Sequence, residues 1–350
     1  MESQKEILKK FSPKKIWLPI GIGLAVAFFL FYRSYDKEAF QNFEWSAQAI
    51  EWLSVGVLML AVRDVAYMIR LRVVTRKELS WKQCFESVML WEFASALAPP
   101  FLGGGFGFAI YIVHREGLRL GKSISAIMLT TFFDGLFFAI LAPLVFIYPG
   151  KAALFNVVGI NGVEQMAGTN GIIISFWTIY TIVMAYKVLI AYAIFINAKP
   201  IKSLIVGFFS LPFFNKWKQG AIETGNDLIL TSTEFKSEKK SFWINAIAAT
   251  FLSWSARFIL VNCIISAFTS KDLNQVLIFS RQVIMGILNM GTPTPGGSGI
   301  AEVMFSNFLG EFISNAGLAA ALALLWRLLS YYPYLFVGAV LLPKWIKQKF

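Results

Sequence analysis

Histidine occurs once in 350 residues, at position 114, and cysteine twice, at 84 and 263. A lone histidine with no histidine or cysteine beside it builds no zinc centre, and two cysteines in or next to apolar segments build no disulfide framework. No Ser-His-Asp arrangement, HExxH helix or intact P-loop occurs either. Charge is scarce as well, at 15% of residues. No hydrophilic stretch exceeds about 45 residues, which leaves no room for a separate nucleotide-binding or acyltransferase domain. These absences point away from an enzyme, and no cofactor is expected.

What is present is hydrocarbon. The chain is 57% hydrophobic and 16% aromatic, with a mean hydropathy of +0.63. Apolar runs of this number and length mark an all-α polytopic membrane protein. The net charge of +12 comes from short basic clusters beside the apolar runs. This is the pattern that the positive-inside bias produces, and it favours anionic lipid headgroups over nucleic acid as the partner. Lys9, Lys10, Lys14 and Lys15 precede the run 16–33, but no small-residue cleavage site follows, so this run is read as an uncleaved first helix.

Full spans are placed at 16–33, 46–70, 122–148, 171–197, 241–268 and 316–342. Two further apolar segments, 82–114 and 276–313, are interrupted about 195 residues apart by Pro99-Pro100-Phe101-Leu102-Gly103-Gly104-Gly105 and Pro293-Thr294-Pro295-Gly296-Gly297-Ser298-Gly299. Arg70, Arg72, Arg76, Lys77 and Lys82 precede the first interrupted segment, and His114, Arg115, Arg119 and Lys122 follow it. Both of its ends therefore lie on the cytoplasmic side, which a re-entrant hairpin explains and a single crossing does not. The connections flanking the second, near Lys271 and Glu311, carry no positive excess and are read as external. The basic tail, and the basic loop 198–240 with Phe208, Phe209, Phe213, Phe214 and Trp217, are read as cytoplasmic, the loop lying along the surface as amphipathic helix. The two hairpins thus enter from opposite sides.

The result is about six transmembrane helices plus two re-entrant helical hairpins in inverted-topology repeats, all within one integral membrane domain, 1–350. Repeat one spans 46–148 and repeat two 241–342, with 171–197 as a linking helix. Three pairs keep the repeat register: Ser46 with Ser241, Arg63 with Arg257, and Asp134 with Arg327. Broken helices in matching places of two halves are the sequence mark of a transport site. Charges at membrane depth cost roughly 2.5–3.5 kcal/mol each on insertion scales and need partners. Asp134 and Arg327 both fall near the midplane, where the repeat relation lets them meet. Arg327 then serves as a bidentate phosphate clamp held by Asp134, or the two form a structural ion pair. Arg257 and Arg63 are the next candidates, with Arg63 near enough to the cytoplasmic end to snorkel. Gly104 and Gly105, and Gly296, Gly297 and Ser298, open half-helices whose amides suit an anion. Glu302 falls in the first turn after the second break, a position that the helix dipole favours.

Ala98-Pro99-Pro100 with Gly103-Gly104-Gly105 and His114-Arg115-Glu116-Gly117, and Pro293 through Glu302 with Trp326-Arg327, resemble the flippase-like family related to the transmembrane region of lysylphosphatidylglycerol synthase. The resemblance covers nearly the whole chain. It implies lipid-linked transport in a cell (inner) membrane without the soluble synthase activity; the basic residues at both termini place both on the cytoplasmic side. The expected function is movement of an anionic phospholipid or polyprenyl phosphate between leaflets, with self-association and protein partners left open. The alternatives are an ion-coupled transporter of a small soluble anion and an integral-membrane enzyme acting on a lipid phosphate.

Overall fold

Short polar side chains close the first turns of several helices, satisfying backbone N–H groups that no earlier carbonyl can reach. The computed structural model describes residues 45–156, 163–211, 218–269 and 272–349, with backbone only for 163–169 and 228. α1 (Ala47–Val74) starts at Ser46, whose hydroxyl accepts the Ala49 N–H at 3.1 Å. α2 (Trp81–Leu97) starts in a reciprocal box between Ser80 and Gln83. After the first break come α3 (Phe106–Arg115), α4 (Leu120–Val145), α5 (Val163–Phe195), α6 (Lys199–Phe209), α7 (Lys218–Lys236) and α8 (Lys240–Ala267). α9 (Gln275–Met290) is capped by Asn274, α10 (Ile300–Leu309) follows the second break, and α11 (Ala316–Ser330), capped by Asn315, precedes α12 (Tyr332–Lys349).

All regular elements among the described residues are helical. Five segments are long and apolar enough to cross a membrane: Ala47–Val74, Leu120–Leu154, Asn170–Phe195, Lys240–Ala267 and Ala316–Lys349. They coincide with five of the six expected spans; the run 16–33 lies outside the described residues. The last span needs correction. It is two helices, because the chain turns at Tyr331 (φ −127°, ψ −56°). Pro333 is the cause. It lacks an N–H and crowds the preceding turn, so it is accommodated at the start of a new helix and not inside an old one. Arg327 consequently lies in the last turn of α11.

α1 and α8 pack antiparallel along their whole length. Gln48 donates to the Ser266 carbonyl at 3.1 Å, Ser253 to the Arg63 carbonyl at 3.2 Å, and Arg70 to Thr250 at 3.3 Å. At each break the prolines remove N–H donors and a short 3₁₀ turn replaces α-helix, over Pro100–Leu102 and Pro295–Gly297. The paired arms α2/α3 and α9/α10 then pack side by side. The two breaks also touch each other: the Phe101 N–H donates to the Thr292 carbonyl at 3.3 Å and the Gly296 N–H to the Ala98 carbonyl at 3.2 Å. In the surface segment α6 and α7 pack together, and Arg76 ties α7 down through Glu234 and Glu238 at 2.5 and 2.6 Å. Phe213, Phe214 and Trp217 lie outside the described residues.

Gly297 holds φ at +71°, and a Cβ there would run into the Asn289 side chain. We expect Gly297→Ala to lower stability by about 1–3 kcal/mol, combining the left-handed backbone penalty with the displacement of Asn289. A thermal melt in detergent measures this, and an unchanged melting temperature would contradict it.

Candidate functional site

The stripe Arg63, Tyr67, Arg70 runs along one face of α1 at helical spacing. All three are buried, the arginines to 1% and 2% exposure. A guanidinium so enclosed requires carboxylate and aromatic partners. Arg63 lies between the rings of Tyr67 and Tyr334, at 5.2 and 4.7 Å, and faces Glu92 at 2.6 Å and Asp64 at 3.1 Å. The Tyr334 hydroxyl donates in turn to Asp64 at 2.9 Å. Arg70 meets Asp134 at 2.5 Å, and Asp134 also accepts the Trp254 indole N–H at 2.7 Å. Arg327 donates from Nε to Glu302 at 2.9 Å, and from Nη2 to the Gly296 carbonyl at 3.0 Å and the Ser298 hydroxyl at 3.2 Å. Its guanidinium lies 3.9 Å from the centre of the Tyr331 ring.

Three adjoining cavities open among these groups. The first, of 180 Å³, is walled by Arg70, Asp134, Glu92 and Ser95. The second, of 350 Å³, is walled by Gly104, Gly296, Asn289, Arg327, Tyr331 and Tyr334 together with Glu92. The third, of 160 Å³, is walled by Phe258, Met285, Met290, Met304 and Trp326. Trp254 and Arg257 line all three. The Trp254 ring is held by Phe138 at 4.7 Å and by Phe137, and the Arg257 guanidinium lies 5.0 Å from its centre. Arg257 keeps 32% of its side chain exposed, and the carboxylate facing it, Glu92 at 3.3 Å, is the one that Arg63 holds more closely. Arg257 is therefore a cation at a cavity junction with only a share in a counter-ion.

The expected site residues divide into two groups. Asp134, Arg257, Arg327, Gly104 and Gly296 line the joined cavities. Arg63, Glu302, Gly105, Gly297 and Ser298 stand behind them. The expected Asp134–Arg327 pair does not form: each has a nearer partner, Arg70 and Glu302. The break before α12 puts Arg327 beside the second break, where Glu302 reaches it. Arg63 does not snorkel, because Glu92 and Tyr334 enclose it. The glycine amides are engaged within the fold. Gly104 bonds to the Pro99 carbonyl, Gly105 to Ser95 Oγ, Gly296 to the Ala98 carbonyl, and Gly297 to the Thr294 carbonyl. An anion here meets guanidinium groups first. Sequence reasoning missed Arg70, counting it among cytoplasmic loop charges, although its i+7 spacing from Arg63 was visible. It also passed over Trp254 and Tyr334, which carry no charge to draw attention. Among the described residues, no cluster of three or more histidine, cysteine, aspartate or glutamate side chains is placed to hold a metal ion.

Comparison with known proteins places these features in a family. The family model for the lysylphosphatidylglycerol synthase transmembrane region matches residues 16–338. A "UPF0104 membrane protein" of Archaeoglobus fulgidus is 23% identical over 333 residues, covering 92% of this chain and 94% of the relative. No solved structure matches. The expectation that the chain is not an enzyme is overturned here, because the matched family takes its name from one. With its several long apolar helices the chain is a multi-pass membrane protein, and it belongs to the lysylphosphatidylglycerol synthase transmembrane-region family.

Proposed function

We propose that the protein binds the phosphate of an anionic membrane lipid at Arg257 and moves that lipid between leaflets. The observation that carries the reading is Arg257 itself: a guanidinium at the meeting point of three cavities, sharing its carboxylate with a better-held arginine. A lipid phosphate has the geometry to take the fork that Glu92 only half fills. Glu92 then stays with Arg63 and is not left as an orphan charge. The family name, with its reference to a lysylphosphatidylglycerol synthase, supports a role in lipid handling.

The movement follows from the architecture as we read it. The interrupted segments are re-entrant hairpins of an inverted repeat, and both termini are cytoplasmic. The antiparallel α1/α8 pair and the reciprocal bonds at Ala98 and Thr292, which occupy equivalent repeat positions, are what a two-fold relation requires. Rocking of the halves exposes Arg257 to each side in turn. A second reading, chemical turnover of the lipid headgroup, is favoured by the enzyme in the family's name.

The test is leaflet exchange of fluorescently labelled phosphatidate in reconstituted liposomes, scored against protein-free liposomes and against Arg257→Gln. Protein-dependent exchange that is lost in the variant is the expected result. Exchange equal in wild type and variant would overturn the reading. A change in the lipid's mass without exchange would move it to turnover.

A further inference from the structure

The repeat register that pairs Arg63 with Arg257 also pairs Glu92 with Gly286, each separated by 194 positions. The two halves therefore differ at one telling place. The first half projects a carboxylate toward the arginines. The second half has no side chain at all there, and its counterpart is a lining residue of the 160 Å³ cavity. That cavity is walled by Trp254, Phe258, Met285, Met290, Met304 and Trp326. Few polar groups face it, with Gln282 and Asn289 the main exceptions besides Arg257. A space lined by thioethers and aromatic rings suits a flexible hydrocarbon, because methionine side chains adapt to irregular apolar shapes.

We infer that this chamber is a tail subsite: it receives part of the hydrocarbon chain of the same lipid whose phosphate sits on Arg257. The inference rests on the reading given under Proposed function and narrows the ligand to one that is anionic and amphipathic, with its chain entering the protein and not remaining wholly in the bilayer. Charge complementarity sets the orientation. The phosphate faces the cavity that Arg327, Ser95 and Tyr334 line together with Arg257, and the chain leaves on the side that carries Gly286. Arg257 and the Trp254 ring beneath its guanidinium border both environments. A small inorganic anion would use only the charged side and leave the methionine-lined side without purpose.

The experiment uses the full chain in nanodiscs of phosphatidylcholine, with two probes that share one head: a long-chain phosphatidate carrying a mid-chain diazirine, and glycerol phosphate. Photolysis followed by peptide mass spectrometry is expected to place adducts on Met285, Met290 or Met304. Adducts confined to outward-facing residues such as Leu189 or Val340 would overturn the inference. Filling the chamber with Met304→Trp is expected to weaken phosphatidate binding by roughly tenfold or more while leaving glycerol phosphate binding within twofold. Equal losses for both probes, or none for either, would also overturn it. Met285→Trp, which lines this chamber and neither of the other two cavities, provides a second filling variant should the first fail to fold, as judged by its melting temperature. Loss of both probes in Arg257→Gln supports the phosphate site independently of the chamber. Retention of both in that variant would defeat the underlying reading, whatever the crosslinks show.

Discussion

Replacing Arg257 by glutamine is expected to reduce leaflet exchange of an anionic lipid by roughly 10- to 100-fold and to leave the fold intact. The size follows from what is removed. A charge-assisted, bidentate contact to phosphate contributes about 1.5–3 kcal/mol, and each 1.4 kcal/mol is tenfold. The intact fold follows from the asymmetry around Glu92. That carboxylate is held by Arg63 at 2.6 Å and by Arg257 at 3.3 Å, so losing Arg257 leaves no orphan charge. Arg257 also retains about a third of its exposure, so its own desolvation is incomplete. Exchange kinetics and a melting curve on the same preparation check both halves. A large fall in melting temperature would mean that Arg257 is a structural tie.

The opposite behaviour is expected of Asp134. Asp134→Leu should lower stability by about 3–5 kcal/mol, because Arg70, only 2% exposed, would be left as a buried charge without its carboxylate. The Trp254 indole N–H would lose its acceptor at the same time. The double variant Arg70→Met with Asp134→Leu should recover most of that loss, since removing both partners of a buried pair costs far less than removing one. Urea or thermal unfolding in detergent of the two single variants and the double variant measures the coupling. Additive losses would show that the two side chains do not depend on each other. Recovery in the double variant would make this pair scaffold and leave Arg257 as the working cation, two roles that a charge pattern alone does not separate.

Much of the architecture was legible because membrane depth punishes exposed polar groups. Long apolar runs, basic flanks and proline-glycine breaks each have one economical explanation in a bilayer, and four expected spans recur as single helices at nearly the same bounds, the fifth as two. The charge partners were less legible. A linear sequence says that Asp134 and Arg327 need partners, but the choice depends on helix rotation and on the turn at Tyr331, a matter of ångströms. Arg70 was obscured by its position at the end of a hydrophobic run, where an arginine normally reaches water. α1 in fact continues to Val74 and turns Arg70 inward, under Thr250 and beside Asp134. The glycines signalled close approach correctly but not its object. At Gly296 and Gly297 the neighbours are Tyr331, the Ala96 carbonyl and Asn289, all from the protein itself.

The two backbone bonds that join the breaks have a consequence for how the halves communicate. Because the Ala98 carbonyl accepts from Gly296 and the Thr292 carbonyl accepts from Phe101, neither tip can shift without either carrying the other along or giving up a hydrogen bond. Arg327, fastened to the Gly296 carbonyl, and Tyr331, whose hydroxyl donates to the Ala96 carbonyl, widen that seam to α11 and the turn after it. The seam therefore links both breaks and the last turn of α11 by direct hydrogen bonds. A ligand that bound more tightly with these bonds closed would favour that arrangement by the difference between its two binding free energies, and the bonds would strengthen its binding by the same amount.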